Sequence, residues 1–591
     1  MCGIVGYVGK NSPIESLIDG LKKLEYRGYD SSGIAIKGNN NIQIIKSTGR
    51  ISKLEEKIKN EKLVKSNLGI AHTRWATHGE ANEINAHPHK VGKVTIVHNG
   101  IIENARDLKN KLVNEEVVFR SETDTEVAAA VINAYYNGNP IEAITKAIRQ
   151  LKGSFAFGVI FEDQDKLYAV RKDSPLIVGI GENENYIASD IAAIIKYTDK
   201  YMLLDDNEVI ELSENEVNVY KDGEKIEKKV ETSKLSIEDA NKGSYKHFML
   251  KEIMEEPVVL QRTLNKYLKK PSKLFDVSEY EEIHIVACGS ALYAGMVGRV
   301  LLEEKANIRC ITECASEYRY KKVIYDRKTL VILVSQSGET ADTIAAMRKA
   351  HEEGIDTLAI VNVTTSTIAR EAKNSIFIEA GPEIAVATTK AYLLQVAMFS
   401  LIALNTAKAK GLENDYERIV DEGRHISKYL NKILNDKDIF KEVGKELKDN
   451  KDVFYIGRGI DYAICEEGSL KWKEVSYTHS DAYEAGELKH GTISLIEDDM
   501  PVIAIITDEK IKDKTESNVI EVEARQAKIF TITNDDSIKN HHFKYVVEKI
   551  SDYFQPILIV PPLQLIGYYT ADFRNLDIDK PRNLAKSVTV E

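Results

Sequence analysis

The chain has 591 residues, of which 43% are hydrophobic and 29% are charged. This composition is ordinary for a globular protein, and the length predicts several domains. The formal net charge of -12 argues against a general binder of nucleic acids or anionic membranes, although it leaves room for a local phosphate site. Five irregularly spaced cysteines indicate neither a disulfide framework nor a zinc site. We expect free thiols in a reducing cytoplasm, with all but Cys2 buried.

The chain opens with MCGIVGYVG, which lacks the basic and long apolar regions of a signal peptide. Cys2 is an unusual residue to find near a chain end. If Met1 is removed, Cys2 carries a thiol and a free α-amine, and the amine can accept the thiol proton near neutral pH. Cys2 is therefore a candidate nucleophile; the alternative is an incidental cysteine.

Residues 1–230 alternate short apolar runs with amphipathic stretches, which predicts an α+β layered domain. The expected strands are CGIVGYV, SGIAI, IQIIK, VTIVHNG, SFAFGVIF, KLYAVR and EVIEL, and the expected helices are SPIESLIDGLKKLEYR and TDTEVAAAVINAYY. The polar, weakly periodic stretch 231–247 is the predicted linker.

Polar residues cluster in HTRWATHGE, VHNG and SETDTE of this first domain. A nucleophile that attacks an amide creates an oxyanion, which requires preorganised donors. Asn99 and Gly100, directly after the strand VTIVH, offer a side-chain amide and a backbone N–H. Arg74 suits the carboxylate of an amino-acid substrate, and Asp124 suits its ammonium group. The alternative is that HTRWATHGE is only a polar loop.

From Phe248 onward, strands and helices alternate as in a parallel sheet. The order strand–Gly–helix, then strand–polar loop–helix–strand, occurs twice with starts about 170 residues apart. We therefore predict an internal duplication, with lobe one at 248–432, lobe two at 433–575 and a surface tail at 576–591. The apolar run at 392–404 is too short to span a bilayer and predicts a buried helix.

The sequence SQSGET in lobe one leaves an apolar strand and opens a helix, so its hydroxyls, Gln336 and glycine form a candidate anion cradle. No GxxxxGK[ST] pattern is present, which favours a small phosphate monoester. CGSA at 288–291 offers a second anion contact. The equivalent loop of lobe two, TDEK at 507–510, carries two acids that repel phosphate, so one working site is expected. The alternative is a Ser/Thr-rich helix cap that binds nothing.

Lobe two carries residues suited to proton transfer. Glu467, Lys471 and Glu474 share one helix face by their spacing, and His490 lies between glycines in a predicted loop. Acid, amine and imidazole groups suit ring opening and a proton shift beside a carbonyl. The alternative for Glu467 and Lys471 is a salt-bridged solvent face.

Specific motifs carry a family resemblance over nearly the whole chain. MCGIVGY, LEYRGYDSSG, HTRWATHG, HNGIIEN and SETDTE resemble the glutaminase domain of the N-terminal-nucleophile amidotransferases. The second half resembles tandem sugar isomerase (SIS) domains, and ASEYRY, SQSGETADT, AVATTKAY, KEVSY, GELKHG and DKPRNLAKSVTVE are similar to those of the glutamine:fructose-6-phosphate aminotransferases (isomerising). The implied fold is a multidomain α/β protein: an N-terminal four-layer α+β glutaminase domain, then two SIS lobes with parallel sheets.

The resemblance implies glutamine hydrolysis through a thioester on Cys2, with the ammonia used to convert fructose 6-phosphate into glucosamine 6-phosphate. Asn99 and Gly100 would form the oxyanion hole, and Trp75 would gate an ammonia channel. The implied glutamine-binding residues are Arg74, Thr77, His78 and Asp124. The implied phosphate ligands are Ser335, Gln336, Ser337 and Thr340, and the sugar-site residues are Ser290, Val386 and Thr388.

Four further roles follow from the same resemblance. Glu474 would move a proton between C1 and C2 with help from Lys471, His490 would open the ring, and Lys586 would form an imine with the sugar carbonyl. Neither a metal nor an organic cofactor is implied, and the expected state is a cytoplasmic homodimer that binds no nucleic acid or membrane. The family often has CGTS where this chain has CGSA, so Ala291 lacks a hydroxyl, and Thr388 replaces the usual Ser. The short linker predicts weak or no inhibition by UDP-N-acetylglucosamine.

Three other protein classes fit less well. Other glutamine amidotransferases need a pyrophosphate loop, an ATP loop or flavin and iron–sulfur ligands, which we do not find in the sequence. A sugar-phosphate sensor built on SIS lobes would not need Cys2 or HTRWATHG, and a deaminase would lack the glutaminase domain.

Overall fold

The computed structural model describes residues 2–39, 41–75, 79–233, 241–269 and 273–589. The chain forms two compact units. The first covers Met1–Asn241 and takes in the end of the chain from Ser587, and the second covers Lys242–Lys586. The division falls within the stretch predicted as a linker, although Glu231–Thr232 forms a short strand of the first unit.

The first unit is built from two antiparallel sheets and five helices of its described residues. Its strands are β1 Gly3–Gly9, β2 Ser31–Lys37, β3 Ile42–Thr48, β4 Leu68–Arg74, β5 His89–Val91, β6 Val94–Ile102, β7 Gly153–Phe161, β8 Leu167–Lys172, β9 Ile177–Ile180, β10 Glu184–Ala188, β11 Lys200–Leu203, β12 Glu208–Leu212, β13 Val217–Lys221, β14 Glu224–Ile226 and β15 Glu231–Thr232. Its helices are α1 Ile14–Leu24, α2 Ile51–Lys59, α3 Ala105–Asn114, α4 Asp124–Tyr135 and α5 Pro140–Ile148. The sheet orders are β15-β11-β9-β10-β1-β4-β2-β3 and β14-β13-β12-β8-β7-β6-β5.

The two sheets of the first unit pack face to face. Ile4 and Ile70 of one sheet and Val97 and Ala156 of the other belong to a single buried cluster. Helices α1 and α2 cover the outer face of the first sheet, and α3, α4 and α5 cover that of the second. The strands are apolar on both sides because each sheet is buried on both faces. This α-β-β-α arrangement confirms the predicted four-layer fold.

The second unit contains two lobes, each with a five-stranded parallel sheet. Its strands are β16 Glu282–Ala287, β17 Arg309–Cys314, β18 Thr329–Ser335, β19 Asp356–Val361, β20 Asn374–Phe377, β21 Asp452–Gly457, β22 His479–Glu484, β23 Pro501–Ile506, β24 Lys528–Thr533 and β25 Phe543–Val546. Its helices are α6 Phe248–Lys269, α7 Ser290–Ala306, α8 Ala315–Tyr318, α9 Ala341–Glu352, α10 Thr367–Glu371, α11 Lys390–Ala409, α12 Tyr416–Arg424, α13 Ser427–Asn435, α14 Lys437–Leu447, α15 Ile460–Ser476, α16 Lys512–Glu523 and α17 Gln555–Phe573.

The two lobes repeat the same architecture in detail. Their sheet orders, β17-β16-β18-β19-β20 and β22-β21-β23-β24-β25, correspond strand for strand. Gly289 and Gly459 precede α7 and α15 with the same left-handed φ of 56°. Both helices have 17 residues and end at a left-handed residue, Asn307 or Tyr477. The predicted duplication into two α/β lobes with parallel sheets is therefore confirmed.

One hydrophobic core spans both lobes. Buried residues of α7, α11, α15 and α17 belong to it, including Phe399, Trp472 and Leu563. Among the described residues, α11 is long and apolar enough to cross a membrane, but 94% of its apolar window is buried in the protein. It is thus the core helix that the run at 392–404 predicts.

Several local predictions need correction. Asn99 and Gly100 lie inside β6, as the predicted strand VTIVHNG has them, and not directly after it, because Asn99 pairs with Ala156 of β7 and Gly100 with Phe155. All five cysteines are free, but only Cys310 and Cys465 are fully buried. Cys288 and Cys314 are only half-buried, since β16 and β17 end there. His490 ends a 3-10 turn, Glu487–His490, rather than lying in an irregular loop.

Candidate active sites

Cys2 is held beside the end of β4. The register of β1 on β4 pairs Gly3 with Thr73. Cys2, the residue before β1, therefore lies next to the segment that follows β4. The backbone N–H of Trp75 donates to the Cys2 Sγ over 3.4 Å. Burial raises the pKa of the Cys2 thiol, and the positive chain terminus and this N–H offset the rise only in part. A thiol in this environment needs a base to become a nucleophile at neutral pH.

Asn99 projects its amide group toward Cys2. The Asn99 Nδ2 donates to the backbone carbonyl of Cys2 over 3.1 Å and to Ser189 Oγ over 2.8 Å. On its other side, Asn99 Oδ1 lies 3.1 Å from His72 Nε2, which also lies 2.8 Å from the backbone carbonyl of His98. Two acceptors at Nε2 mean that this nitrogen carries the proton. His72 thereby fixes which end of the Asn99 amide faces Cys2.

Arg74 and Asp124 approach the same area from β4 and from the start of α4. Arg74 is 3% exposed, and its guanidinium donates to the backbone carbonyls of Gly79 and Glu80 over 3.3 Å. The Asp124 carboxylate accepts the N–H of Ile102 over 2.8 Å. Both charges act on the Cys2 thiol, Arg74 by lowering its pKa and Asp124 by raising it. The structure therefore brings together four of the predicted residues: Cys2, Arg74, Asn99 and Asp124.

A cluster of buried imidazoles supports these side chains. The rings of His72 and His87 stack with centroids 4.1 Å apart, and His89 lies 5.0 Å from His87. Thr125 Oγ1 joins His98 Nδ1 over 2.9 Å and His87 over 3.2 Å. Burial lowers the pKa of His72 to about 3, so the ring is neutral at physiological pH. Burial likewise lowers the pKa values of His87 and His89, so these three rings form a neutral hydrogen-bonding support behind the site.

The motif HTRWATHGE is not simply a polar loop. His72, Thr73 and Arg74 form the end of β4 and are buried. Trp75 follows the strand and is half-buried. Thr77 and His78, both expected to bind glutamine, lie outside the described residues.

The predicted phosphate loop of lobe one lies between β18 and α9. Ser335 Oγ lies 3.0 Å from Thr340 Oγ1 and accepts the N–H of Gly338 over 3.0 Å. Ser337 Oγ accepts the N–H of Glu339 over 3.1 Å. Gly338 has a φ of 65°, and a Cβ there would lie 2.0 Å from Ser366 Oγ, so glycine is required. The loop presents hydroxyls and N–H groups at a helix N-terminus, as an anion site needs.

Glu467, Lys471 and Glu474 lie on one face of α15, as predicted, but that face is buried. Lys471 and Glu467 are 1% and 2% exposed, so the solvent-face alternative is wrong. The Lys471 ammonium donates to Glu474 and lies 3.6 Å from Glu467 Oε1. Burial raises the pKa of Glu467 to about 8. Burial alone would lower the pKa of Lys471, but the nearby carboxyl groups of Glu467 and Glu474 raise it above the usual value. The cluster therefore holds a charged lysine paired with Glu474.

Lys586 reaches a buried carboxylate that the sequence reasoning missed. Its Nζ donates to Glu383 Oε2 over 2.5 Å and lies 3.3 Å from Thr388 Oγ1. Glu383 Oε1 accepts the N–H groups of Thr389 and Ala391 over 3.0 Å. Burial opposes ionisation of Glu383, but Lys586 and these donors lower its pKa below the usual value. Glu383 also raises the pKa of Lys471, so the Lys586 and α15 clusters are electrostatic neighbours.

The other predicted sugar-site residues lie around these clusters. Val386 is buried, and its N–H donates to the backbone carbonyl of Asp579 over 3.0 Å. Ser290 is the first residue of α7 and is 9% exposed, and its hydroxyl lowers the pKa of Glu467. His490 is exposed, and among the described residues no hydrogen bond or ion pair joins it to Glu474 or Lys471. The structure therefore does not bring His490 into the cluster.

The residues missed from the sequence share one property: their partners are distant along the chain. His72 and Ser189 contact Asn99 across 27 and 90 positions. Glu383 contacts Lys586 across 203 positions. His72 is the first residue of the quoted motif HTRWATHG, and Glu383 lies two residues before AVATTKAY. The spacing of His72 and Arg74 on one face of a strand is a usable signal.

Family models match both units. A glutamine amidotransferase domain model matches residues 72–196, and a SIS domain model matches residues 277–405 and 446–570.

The chain is similar over its full length to curated proteins. It is 46% identical over 609 residues to the glutamine–fructose-6-phosphate aminotransferase [isomerizing] of Clostridium tetani, and 44% identical over 604 residues to that of Thermococcus kodakarensis, with all of each chain covered. Among solved structures, it is similar to the C-terminal domain of glucosamine-fructose-6-phosphate aminotransferase from Francisella tularensis. That match has a TM-score of 0.55 and 33% identity, and covers 58% of this chain and 99% of the other.

Proposed function

Because the chain belongs to the glutamine–fructose-6-phosphate aminotransferase (isomerizing) family, we propose how its two units divide the glutamine-dependent synthesis of glucosamine 6-phosphate from fructose 6-phosphate. We assign glutamine hydrolysis to residues 1–230 and the sugar chemistry to lobe one (248–432), lobe two (433–575) and the tail (576–591). The observation that carries the assignment is the buried pair of Lys586 and Glu383 beside the α15 cluster, in a unit that also carries a phosphate-type loop.

In the glutaminase site, the Cys2 thiolate attacks the side-chain carbonyl of glutamine after its proton passes to the α-amine freed by loss of Met1. The oxyanion that forms is stabilised by Asn99 Nδ2 and the Gly100 N–H. The 3.1 Å contact of Asn99 Nδ2 with the Cys2 carbonyl supports this role, since that hydrogen already points to the nucleophilic residue. Ammonia leaves, and water hydrolyses the thioester to glutamate.

Glutamine is held by its α-carboxylate and α-ammonium groups. We assign the first to Arg74, Thr77 and His78 and the second to Asp124. The opposite charges of Arg74 and Asp124, both of which act on the Cys2 thiol, support this pairing. We assign to Trp75, whose backbone already contacts the Cys2 thiol, the gating of ammonia release.

In the sugar site, Ser335, Gln336, Ser337 and Thr340 bind the phosphate, and Ser290, Val386 and Thr388 line the sugar. The Lys586 ammonium gives a proton to Glu383, at 2.5 Å, and the free amine attacks the ketone carbon. Glu383 returns the proton to the hydroxyl that leaves as water, so that the resulting iminium faces a carboxylate that balances its charge. Ammonia from the glutaminase site then displaces Lys586 from this carbon, which leaves the nitrogen on the sugar and releases the lysine. Glu474, with Lys471 beside it, moves the proton between C1 and C2. We assign ring opening to His490 from its motif alone, because its exposed position lies apart from the cluster.

Three expectations complete the proposal. The enzyme works in the cytoplasm as a homodimer, and it needs no metal or organic cofactor. Ser290 retains a hydroxyl next to Ala291, which supports sugar binding despite the missing hydroxyl.

Product analysis tests the assignment. Wild-type enzyme should form glucosamine 6-phosphate from glutamine and fructose 6-phosphate, and glutamate alone from glutamine. Cys2→Ala should abolish glutamine-dependent synthesis but retain sugar isomerisation, whereas Lys586→Ala should lose the sugar chemistry and keep some glutamine hydrolysis. Synthesis from glutamine by Cys2→Ala would remove Cys2 from the mechanism, and full synthesis by Lys586→Ala would remove Lys586.

A further inference from the structure

The two lobes can be superposed residue by residue through their strand registers. In lobe one Val286 of β16 pairs with Leu333 of β18, and in lobe two Ile456 of β21 pairs with Ala504 of β23. The left-handed glycine before the following helix comes three residues after Val286 and three after Ile456. The second residue of helix α7, Ala291, therefore corresponds to the second residue of α15, which is Asp461.

The loops that follow β18 and β23 also correspond. Ser335 ends β18 and Ala341 begins α9, while Ile506 ends β23 and Lys512 begins α16, so both connections have equal length. Gln336 thus corresponds to Thr507, and Ser337 to Asp508. A related contact supports this match, since Asn362 follows β19 as Asn534 follows β24. The backbone N–H of Asn362 donates to the Gln336 carbonyl over 3.2 Å, and the side-chain Nδ2 of Asn534 donates to the Thr507 carbonyl over 3.0 Å.

Asp461 binds the loop of lobe two as an anionic ligand would. Its carboxylate accepts the backbone N–H of Thr507 over 2.7 Å, the N–H of Asp508 over 3.2 Å, and the hydroxyl of Thr507. The side chain is fully enclosed, with 1% of its surface exposed. These N–H groups correspond to those of Gln336 and Ser337, which belong to the phosphate loop of lobe one. A negative group of the protein itself thus lies where lobe one is expected to take phosphate.

We propose that the second residue of this helix decides whether a lobe binds phosphate: Asp461 fills the cradle of lobe two with a built-in carboxylate, whereas Ala291 leaves the equivalent cradle of lobe one open to a sugar phosphate. The inference rests on the proposed phosphate site in lobe one. Ala291 then contributes to substrate binding by its small size, because an acidic side chain at that position would compete with the phosphate of the substrate.

The surroundings of the two left-handed glycines support this difference. A Cβ added at Gly289 would meet no atom within 4 Å among the described residues. A Cβ added at Gly459 would lie 3.3 Å from both Asp508 Oδ2 and Ile511 Cδ1. Side chains of the following loop therefore approach this glycine in lobe two but not in lobe one. Asp508 adds a second negative charge at the place of Ser337, so lobe two rejects phosphate by occupancy and by repulsion.

Introducing the carboxylate into lobe one tests the proposal in the full-length enzyme. We expect Ala291→Asp to weaken fructose 6-phosphate binding at least 100-fold by calorimetry, while Ala291→Asn, of equal size but uncharged, loses less than 10-fold. Glutamine hydrolysis serves as the folding control for both variants. Wild-type affinity in Ala291→Asp, or equal losses in the two variants, would overturn the proposal.

The reciprocal experiment opens lobe two. We expect inorganic phosphate to bind one site per chain in the wild type and in Asp508→Ser, and two sites in the double variant Asp461→Ala/Asp508→Ser. A stoichiometry that stays at one in a folded double variant would overturn the role of Asp461. If the double variant does not fold, Asp461→Ser with Asp508→Ser replaces it, since the shorter hydroxyl side chain can still hydrogen-bond within the loop but leaves room for phosphate, and the same increase in stoichiometry is required.

A separate pair of variants shows which proposal has failed. Ser335→Ala and Ser337→Ala should each weaken fructose 6-phosphate binding if lobe one holds the phosphate. Unchanged binding in both would refute the proposed phosphate site itself. Weakened binding in these two, together with wild-type affinity in Ala291→Asp, would refute only the role of the helix position.

Discussion

The contact between His72 and Asn99 shows how one neutral imidazole can fix the orientation of a side-chain amide. Rotating the Asn99 amide by half a turn would present an oxygen, rather than an N–H, to an oxyanion next to Cys2. The His72 Nε2 proton disfavours this, because a rotated amide would turn its NH2 group, instead of its oxygen, toward that proton, 3.1 Å from the ring nitrogen. His72 therefore acts as a positioning residue for the proposed oxyanion donor.

We expect His72→Asn to lower kcat for glutamine hydrolysis by about 10- to 100-fold with little change in KM, because the removal of an oxyanion donor costs about 10²–10³ and this change only frees its orientation. Glutamate release from glutamine measures the effect. His89→Asn is the matched control, since His89 belongs to the same cluster but contacts Thr123 rather than Asn99. Equal effects of the two substitutions would contradict a specific role for His72.

The buried imidazoles also make the first unit sensitive to acid. Burial lowers the pKa of His72 to about 3 and the pKa values of His87 and His89 well below their usual value. In the unfolded chain these groups titrate near pH 6.5, so the unfolded state binds more protons below that pH. The contribution of these rings to the free energy of unfolding is fully present above about pH 6.5. It is lost as the pH drops towards 3, by up to about 1.4 kcal/mol per pH unit for each ring. Urea unfolding of wild type and His89→Asn between pH 7 and 5 checks this, and the variant should lose stability less steeply.

At the scale of elements, β6 is where sequence and structure diverge most informatively. The apolar run VTIV predicts the strand, but the Asn-Gly pair at 99–100 is typical of a turn and indicates that the strand ends there. Pairing with β7 carries the strand through them to Ile102. Gly100 has a φ of 126°, and its missing Cβ leaves room for the Ser154 carbonyl. Pairing across some 55 positions overrides the local turn signal, which no short-range pattern can reveal.

Gly100→Ala should therefore destabilise the first unit by about 3 kcal/mol or more, because a Cβ would lie 2.1 Å from the Ser154 carbonyl oxygen in a backbone region open essentially to glycine alone. Gly138→Ala is a suitable control, since Gly138 also has a positive φ, 102°, but a Cβ there meets nothing within 4 Å. We expect about 1–2 kcal/mol for the control. Chemical denaturation followed by circular dichroism distinguishes the two, and equal losses would mean that φ alone matters.

The helices and parallel strands of the second unit were easier to predict, because buried parallel strands are continuous apolar runs such as TLVILVS and MPVIAII. The sites were only partly predictable. Motifs identify Lys471, Glu474 and Lys586 as site residues. Glu383 could not be identified in this way, because its role depends on Lys586, which lies 203 positions away along the chain. His490 shows the converse, since its motif predicts a place in the cluster that its exposed position does not provide.

At the scale of the whole molecule, the two units have separate hydrophobic cores. The clusters of the first unit lie within residues 4–226, and those of the second begin at Met249. A ligand that binds only the folded form of one unit stabilises that unit. At a ligand concentration of 100 times the Kd, the free energy of unfolding of that unit rises by about 2.7 kcal/mol. We expect fructose 6-phosphate to raise the unfolding temperature of the second unit and to leave that of the first unchanged. Calorimetry of Cys2→Ala checks this, with glutamine as the converse ligand; an equal shift of both transitions by either ligand would contradict independent units.

The carboxylate of Glu383 has one more consequence, for observing the enzyme at work. Its Oε1 accepts the N–H groups of Thr389 and Ala391 while its Oε2 binds Lys586. Each time the lysine amine becomes an imine or is released again, the charge that polarises these two amides changes. Deuterium uptake at positions 389 and 391 is thus an intrinsic probe of the covalent state of Lys586, and it requires no substitution and no attached reporter group.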